Sequence, residues 1–119
     1  MSDQISWWVE LAVKPGQLEN FRALTAEMVD FTRREPGVLS YQRFVGETGK
    51  LIHVWERYTG SAAAAAHLVN FVDRFGDRFS TMVDRRRFLV FGQPSNALKQ
   101  MLDGFGAVYL RSFGDLPYW

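Results

Sequence analysis

The stretch from residue 35 to residue 67 constrains the fold of this chain more than any other part. Pro36 and Gly37 follow a segment of helical periodicity and end it, because the residue before a proline is disfavoured in the α conformation. Two runs rich in aromatic and β-branched residues come next, Val38–Val45 and Leu51–Tyr58, joined by a short turn with two glycines. This spacing predicts a β-hairpin.

The elements on either side of the hairpin complete a β-α-β-β-α-β order, which is the ferredoxin-like arrangement of an α+β domain. A first strand is predicted over Ile5–Val13, followed by a helix that begins at Gln17. A second helix is predicted over residues 62–70, a further helical stretch over 71–82 and a fourth strand over 88–91. The hydroxyls predicted to cap the second helix are those of Thr59 and Ser61.

The last part of the chain extends past this unit. Ser95 is predicted to cap a short helix that ends at Gly104, residues 107–113 are predicted to form a fifth strand, and the remaining residues an irregular end. We therefore expect residues 1–94 to form the ferredoxin-like domain. Residues 95–119 are expected to be an extension that packs on the same domain or on a partner subunit.

The sheet predicted here has helices on one face only. Its first and third strands are apolar and aromatic throughout, so the second face is also expected to be covered. A second copy of the chain is the expected cover, which predicts a homodimer.

Composition excludes several classes of function. Fourteen basic and thirteen acidic residues leave a formal charge of +1, so no nucleic-acid partner is expected. The three arginines at residues 85–87 are interpreted as a solvated entrance to the fourth strand, that is, as solvent-exposed residues just before it. The chain has no cysteine, and its two histidines, His53 and His67, have no carboxylate cluster at ligand spacing. No metal site is therefore expected.

The N-terminus lacks the basic region and apolar run of a secretory leader, and no stretch approaches the ~20 apolar residues of a membrane span. The sequence thus predicts a cytoplasmic protein without a membrane partner.

Over residues 5–92 the chain resembles the antibiotic-biosynthesis-monooxygenase family in the order of its elements and in three motifs. The motifs are Glu35-Pro36-Gly37 leading into Tyr41, Trp55-Glu56-Arg57-Tyr58 at the end of the third strand, and the alanine run at 62–66 closing on His67. The resemblance implies a dimeric α+β barrel with a pocket between sheet and helices. It also implies oxidation of quinols or aromatic polyketides by molecular oxygen without metal or flavin, so no cofactor is expected.

An oxygenase of this kind needs an apolar pocket and one group that titrates near neutral pH, because a deprotonated electron-rich aromatic compound can itself reduce oxygen. His67 is the candidate catalytic residue, as hydrogen-bond partner or general base, since an ordinary imidazole titrates at about 6.5. Tyr58 is the candidate hydroxyl donor. The residues predicted to bind a small apolar or aromatic substrate are Trp55, Tyr41, Phe71 and Trp8.

Alternation along the third strand leaves open which of its faces meets the pocket. Trp55 and Arg57 share one face, whereas Glu56 and Tyr58 share the other. Trp55 and Tyr58 can reach one pocket only if the strand bulges or ends there. Glu56 is expected to be structural, paired with an arginine such as Arg43 or Arg57.

Two other functions are compatible with the same residues. One is an isomerase or cyclase of the same fold, in which His67 moves protons and oxygen takes no part. The other is a non-catalytic dimeric barrel that binds a small apolar ligand. It is favoured by the absence of a second obvious polar catalytic group beside His67.

Overall fold

The computed structural model describes residues 3–114 as one sheet with helices packed on one of its faces. The elements in chain order are β1 (Ile5–Val13), α1 (Leu18–Thr32), β2 (Val38–Val45), β3 (Leu51–Tyr58), α2 (Ser61–Met82), β4 (Val83–Phe91), α3 (Asn96–Asp103) and β5 (Val108–Leu110). No helix in this part of the chain combines the length and the apolar character needed to cross a bilayer.

The sheet has the strand order β2-β3-β1-β4-β5. Its first four strands pair antiparallel, as a ferredoxin-like fold requires, so the predicted α+β class is confirmed. β5 pairs with β4 in parallel, and it does so within its own chain.

The two faces of the sheet differ in burial. Along β3 the even-numbered positions, from Ile52 to Tyr58, are buried under the helices, and Trp7 of β1 is 1% exposed on the same side. Trp8 and Trp55 lie opposite each other in neighbouring strands and face the other way, where they are half-buried. We call the second side the open face.

β4 begins at Val83, five residues earlier than the sequence predicts, because its first half is polar and therefore lacks the expected apolar pattern. A β-bulge shifts its register against β1, so that Glu10 pairs with Arg87 but Leu11 pairs with Arg85. The bulge turns Arg85 toward the helices, where it is half-buried. The interpretation of this basic run as a solvated entrance is therefore wrong for Arg85.

α2 is a single helix of 22 residues rather than two stretches. Its N-cap is Gly60, with no side-chain hydrogen bond, so the predicted capping by Thr59 and Ser61 is wrong. The Ser61 hydroxyl instead accepts a hydrogen bond of 2.9 Å from the backbone N–H of Ser95. It thereby ties the start of α2 to the C-terminal extension.

The extension contributes to the core. Ser95 caps α3 by accepting from the N–H of Leu98 at 3.2 Å, as predicted, and the side chains of Leu98 and Leu102 are fully buried. β5 is shorter than the predicted strand at 107–113, and the predicted irregular end at 115–119 lies outside the described residues. The division of the chain at residue 94 remains a prediction.

Candidate active site

A cavity of about 40 Å³ lies between the helix-covered face of the sheet and α2. This is room for a few water molecules. Its apolar wall comes from both layers and consists of Trp7, Val9, Leu11, Val54, Leu68, Phe71, Phe79, Phe88 and Phe105. Its polar wall consists of Tyr41, Arg43, Glu56, His67 and Arg85. The cavity therefore combines an aromatic lining with a compact group of ionisable side chains.

His67 lies in the second turn of α2 and is 4% exposed. Its Nδ1 is 2.7 Å from Oε1 of Glu35, whose other oxygen accepts from the Asn70 amide at 2.8 Å. Because a carboxylate accepts hydrogen bonds, this contact favours the tautomer of His67 that carries its proton on Nδ1. The other ring nitrogen, Nε2, is left to face the cavity residues.

Glu35 reaches His67 because the chain after α1 passes very close to α2. Gly37 has φ +82°, and a Cβ atom at this position would be 2.6 Å from the Cβ of Ala63 and 2.8 Å from the hydroxyl of Thr59. Only glycine can adopt this positive φ and also leave room for the close contact with Ala63 and Thr59. The Pro-Gly turn therefore sets the distance between Glu35 and the helix that carries His67.

Glu56 is the second carboxylate at the imidazole and is 6% exposed. Its Oε1 accepts from Trp7 Nε1 at 2.9 Å and from the Tyr58 hydroxyl, and it lies 3.4 Å from Nε2 of His67. The expected pairing of Glu56 with Arg43 or Arg57 is wrong, since an indole and a phenol beside it occupy this oxygen. Among the described residues, none donates to Oε2 of Glu56, so this oxygen of a cavity-lining residue is available to accept a proton.

The arrangement can store and move one proton. Nε2 of His67 lies 3.4 Å from Oε1 of Glu56, so a small movement of the ring brings the two groups within hydrogen-bond distance. The imidazole and the carboxylate thus form a pair of neighbouring groups, both in the cavity wall, that can accept a proton and pass it on. Such a pair is suited to general acid–base chemistry.

The two tyrosines near this pair stay protonated at neutral pH. Burial, with the charge of Glu56 adding to it, raises the pKa of Tyr41 to about 12 against the opposing effect of Arg43. Burial and then the charge of Glu56 raise the pKa of Tyr58 well above its ordinary value. Both phenols therefore act as neutral hydrogen-bonding groups.

One end of the cavity is closed by a cation and two rings. The Arg85 guanidinium lies over the ring of Phe105 at 4.7 Å and over that of Phe79 at 5.8 Å. Burial lowers the pKa of Arg85 from its ordinary value, although an arginine stays charged. The β4 bulge and the C-terminal extension together build this closure, because they supply Arg85 and Phe105.

The structure separates the predicted site residues into three groups. His67, Tyr41 and Phe71 line the cavity. Tyr58 lies beneath it, its ring 5.4 Å from that of His67. Trp8 and Trp55 do not line it, because strand alternation directs both to the open face, and their role in binding substrate stays a prediction.

Glu35, Trp7 and Arg43 were not among the predicted site residues, and Glu56 has other partners than the predicted arginines. Glu35 was present in the Glu-Pro-Gly motif, but a contact across 32 residues has no local pattern. Trp7 could be found from strand pairing, since it lies directly opposite Glu56 in the sheet. Within residues 3–114, no group of three or more acidic, histidine or cysteine side chains is placed to hold a metal ion.

The sequence model of one family, antibiotic biosynthesis monooxygenase, matches residues 6–70 of the chain. A search of the curated proteins gave no match.

Several solved structures share the fold. MupZ from Pseudomonas fluorescens is 22% identical with a TM-score of 0.88, and the alignment covers 99% of this chain and 91% of MupZ. SnoaB, a cofactor-independent oxygenase from Streptomyces nogalater, is 14% identical with a TM-score of 0.67, covering 80% of this chain and 97% of SnoaB. PA3566 from Pseudomonas aeruginosa is 20% identical with a TM-score of 0.63, covering 76% and 91% respectively. The match to MupZ thus extends over the region of α3 and β5 as well.

Proposed function

Since the chain belongs to the antibiotic biosynthesis monooxygenase family, we propose that it is a cofactor-independent monooxygenase that oxidises a small aromatic or quinol-like compound with molecular oxygen. The observation that carries the proposal is the His67 imidazole between Glu35 and Glu56 in the wall of an aromatic cavity. The shared fold with the oxygenase SnoaB supports it.

In the proposed reaction the protein removes a proton and the substrate supplies the electrons. The substrate hydroxyl or acidic C–H transfers its proton to the pair formed by His67 and Glu56, and the resulting anion reduces oxygen. For an anthrone, the ring CH₂ becomes C=O, one oxygen atom enters the product, and the other leaves as water with the two hydrogens. The apolar wall excludes bulk water from the anion.

Substrate access requires movement at the closed end, because the cavity has a volume of only about 40 Å³. A surface depression of about 260 Å³ adjoins it and shares Phe71, Phe79, Arg85 and Phe105 with it. We infer that Arg85 and Phe105 swing aside to join the two spaces.

Oxygen uptake tests the proposal. Purified, metal-free protein is mixed with a panel of reduced quinols and anthrones, and His67→Ala is measured in parallel. His53→Ala is the matched control, because His53 lies on the open face against Trp8. We expect uptake by wild type and the control, and a loss of about 10²-fold or more in His67→Ala. Full uptake by His67→Ala would refute the role of the imidazole.

We also propose that two copies pair through the open face. Trp8 stacks on His53 at 5.1 Å and Trp55 packs on Phe91 at 5.8 Å, which leaves a half-buried aromatic layer on a sheet without helices. Light scattering of Trp55→Glu tests this. A dimeric wild type and a monomeric variant are expected, whereas a monomeric wild type would contradict the proposal.

The isomerase or cyclase alternative is favoured by one observation. The imidazole with its two carboxylates can both donate and accept a proton, and such chemistry needs no oxygen. Turnover that continues at the same rate under anaerobic conditions would identify this class. The third candidate, a non-catalytic ligand-binding barrel, predicts binding without product.

A further inference from the structure

We propose that Arg43 binds an oxygen anion of the substrate, formed when a phenol or enol hydroxyl gives its proton to Oε2 of Glu56. This proposal rests on the proposed function of the same cavity and names the substrate class, a compound with an ionisable hydroxyl. Arg43 is the oxyanion-binding residue and Glu56 the proton acceptor.

The hydrogen bonding of Arg43 is incomplete. Its Nη2 donates to the Tyr41 hydroxyl at 2.8 Å, and its Cζ lies 3.9 Å from the centre of the Tyr41 ring. Its Nε and Nη1 are buried and have no hydrogen-bond partner. Buried donors in native proteins are almost always satisfied by protein, water or ligand atoms, so the expected partner of these two N–H groups is an oxygen atom inside the cavity that Arg43 lines.

The charge of Arg43 is unpaired as well. Among the described residues, no carboxylate lies within the 4.0 Å of an ion pair with this guanidinium. The contact with the Tyr41 ring holds the cation in place and satisfies one donor only. A negatively charged oxygen in the cavity would satisfy both the charge and the free N–H groups.

The position of Glu56 decides between a carboxylate ligand and a hydroxyl ligand. Glu56 lies opposite Tyr41 in the sheet, whereas Arg43 lies opposite Val54 on the same face, two residues along β2. The two residues are thus offset by roughly 7 Å of backbone along the strands, and both line the same cavity, so one ligand can contact both side chains. A permanent carboxylate would be repelled by Glu56, but a hydroxyl brings the proton that neutralises it.

The step balances without a redox partner. The O–H bond of the ligand breaks, the proton forms a bond with Oε2 of Glu56, and the electron pair stays on the ligand oxygen beside Arg43. His67 Nε2, at 3.4 Å from the other oxygen of Glu56, can share the transferred proton.

Binding of 4-nitrophenol tests this inference without any turnover, because its ionised form absorbs in the visible range. The pH is set where the free phenol is un-ionised, and its methyl ether, 4-nitroanisole, serves as the neutral probe. The variants are Arg43→Gln, Arg43→Lys and Glu56→Gln, with Arg86→Gln as the control, because Arg86 is exposed on β4. Since oxygen is not consumed, a failure here is distinct from a failure of the monooxygenase assay.

We expect wild type to bind 4-nitrophenol in its ionised form and about tenfold more tightly than 4-nitroanisole, since charge-assisted hydrogen bonds are the stronger kind. Arg43→Gln should lower this preference to below about threefold. Its affinity for 4-nitroanisole should equal that of wild type, which also shows that the cavity is intact. Glu56→Gln should bind the phenol un-ionised, Arg43→Lys should retain part of the preference, and Arg86→Gln all of it.

Three results would overturn the inference. The first is wild type without a preference for 4-nitrophenol, or without saturable binding of it. The second is a preference that survives in Arg43→Gln. The third is binding of 4-nitrobenzoate as tight as that of 4-nitrophenol, because the argument requires Glu56 to repel a permanent carboxylate.

Discussion

Replacing Glu35 with glutamine is expected to change which nitrogen of His67 carries the proton. Glu35 accepts from His67 Nδ1 at 2.7 Å with one oxygen and from Asn70 at 2.8 Å with the other. A glutamine has one acceptor and one NH₂ group, so it cannot accept from both. If its oxygen stays with Asn70, its NH₂ group donates to Nδ1, and the proton of the neutral ring moves to Nε2.

The cost in stability follows from the same two contacts. Glu35→Gln replaces two charge-assisted hydrogen bonds with neutral ones at a site where the Glu35 side chain is 9% exposed. A hydrogen bond to a charged group contributes about 1.5–3 kcal/mol to the free energy of unfolding and a neutral one about 0.5–1.5 kcal/mol, so the expected loss is about 2 kcal/mol. For a domain of this size, a loss of 2 kcal/mol lowers Tm by roughly 6–10 °C.

Two measurements check this prediction. Nitrogen-15 NMR of labelled histidine reports the tautomer, and we expect Nδ1–H in wild type and Nε2–H in Glu35→Gln. Urea unfolding reports the stability. Glu47→Gln is the control, since Glu47 is exposed in the β2–β3 turn and should change neither. An unchanged tautomer together with a stability loss below about 0.5 kcal/mol would refute the reasoning about Glu35.

Three further predictions address the packing, the pH response and the access route. Gly37→Ala should destabilise the fold by about 3 kcal/mol or more in urea unfolding, since the new Cβ would be 2.6 Å from the Cβ of Ala63. Gly114→Ala is the control and should leave the stability unchanged, because the space around Gly114 is open. The pKa of Tyr41 is raised from 10.0 to about 12, so the unfolded chain loses this proton at a lower pH than the folded protein does. The free energy of unfolding should therefore fall by about 2–3 kcal/mol as pH rises from 10 to 12, and Tyr41→Phe should flatten this part of the pH–stability curve. Phe105→Ala should enlarge the closed end and speed the binding of two-ring ligands in stopped-flow fluorescence, whereas an unchanged rate would reject the proposed route.

The pattern of apolar residues was sufficient to predict the ferredoxin-like order, because each element has its own periodicity. The bounds of β1, β2 and β3 agree with the predicted ones. The start of β4 could not be predicted, since its first residues do not alternate between apolar and polar. The β-bulge at Glu10 also shifts the pairing of this part of β4 with β1.

The candidate site was predictable only in part. His67 and Tyr41 were named from the family motifs, and both line the cavity. The face on which Trp55 lies could not be predicted, because alternation defines two faces without saying which one the helices cover. Glu35 and Trp7 were missed because their contacts join distant segments, and only the packed fold brings them to His67 and Glu56.

The origin of the oxygen atom in the product tests the central claim most directly. Wild-type protein is incubated under ¹⁸O₂ with a quinol or anthrone that it turns over, and the product is analysed by mass spectrometry. We expect one labelled oxygen atom per product molecule, with a sharp loss of labelled product in His67→Ala and none in His53→Ala. Product that carries no label from ¹⁸O₂, formed at an undiminished rate without oxygen, would contradict it and identify a proton-transfer enzyme instead.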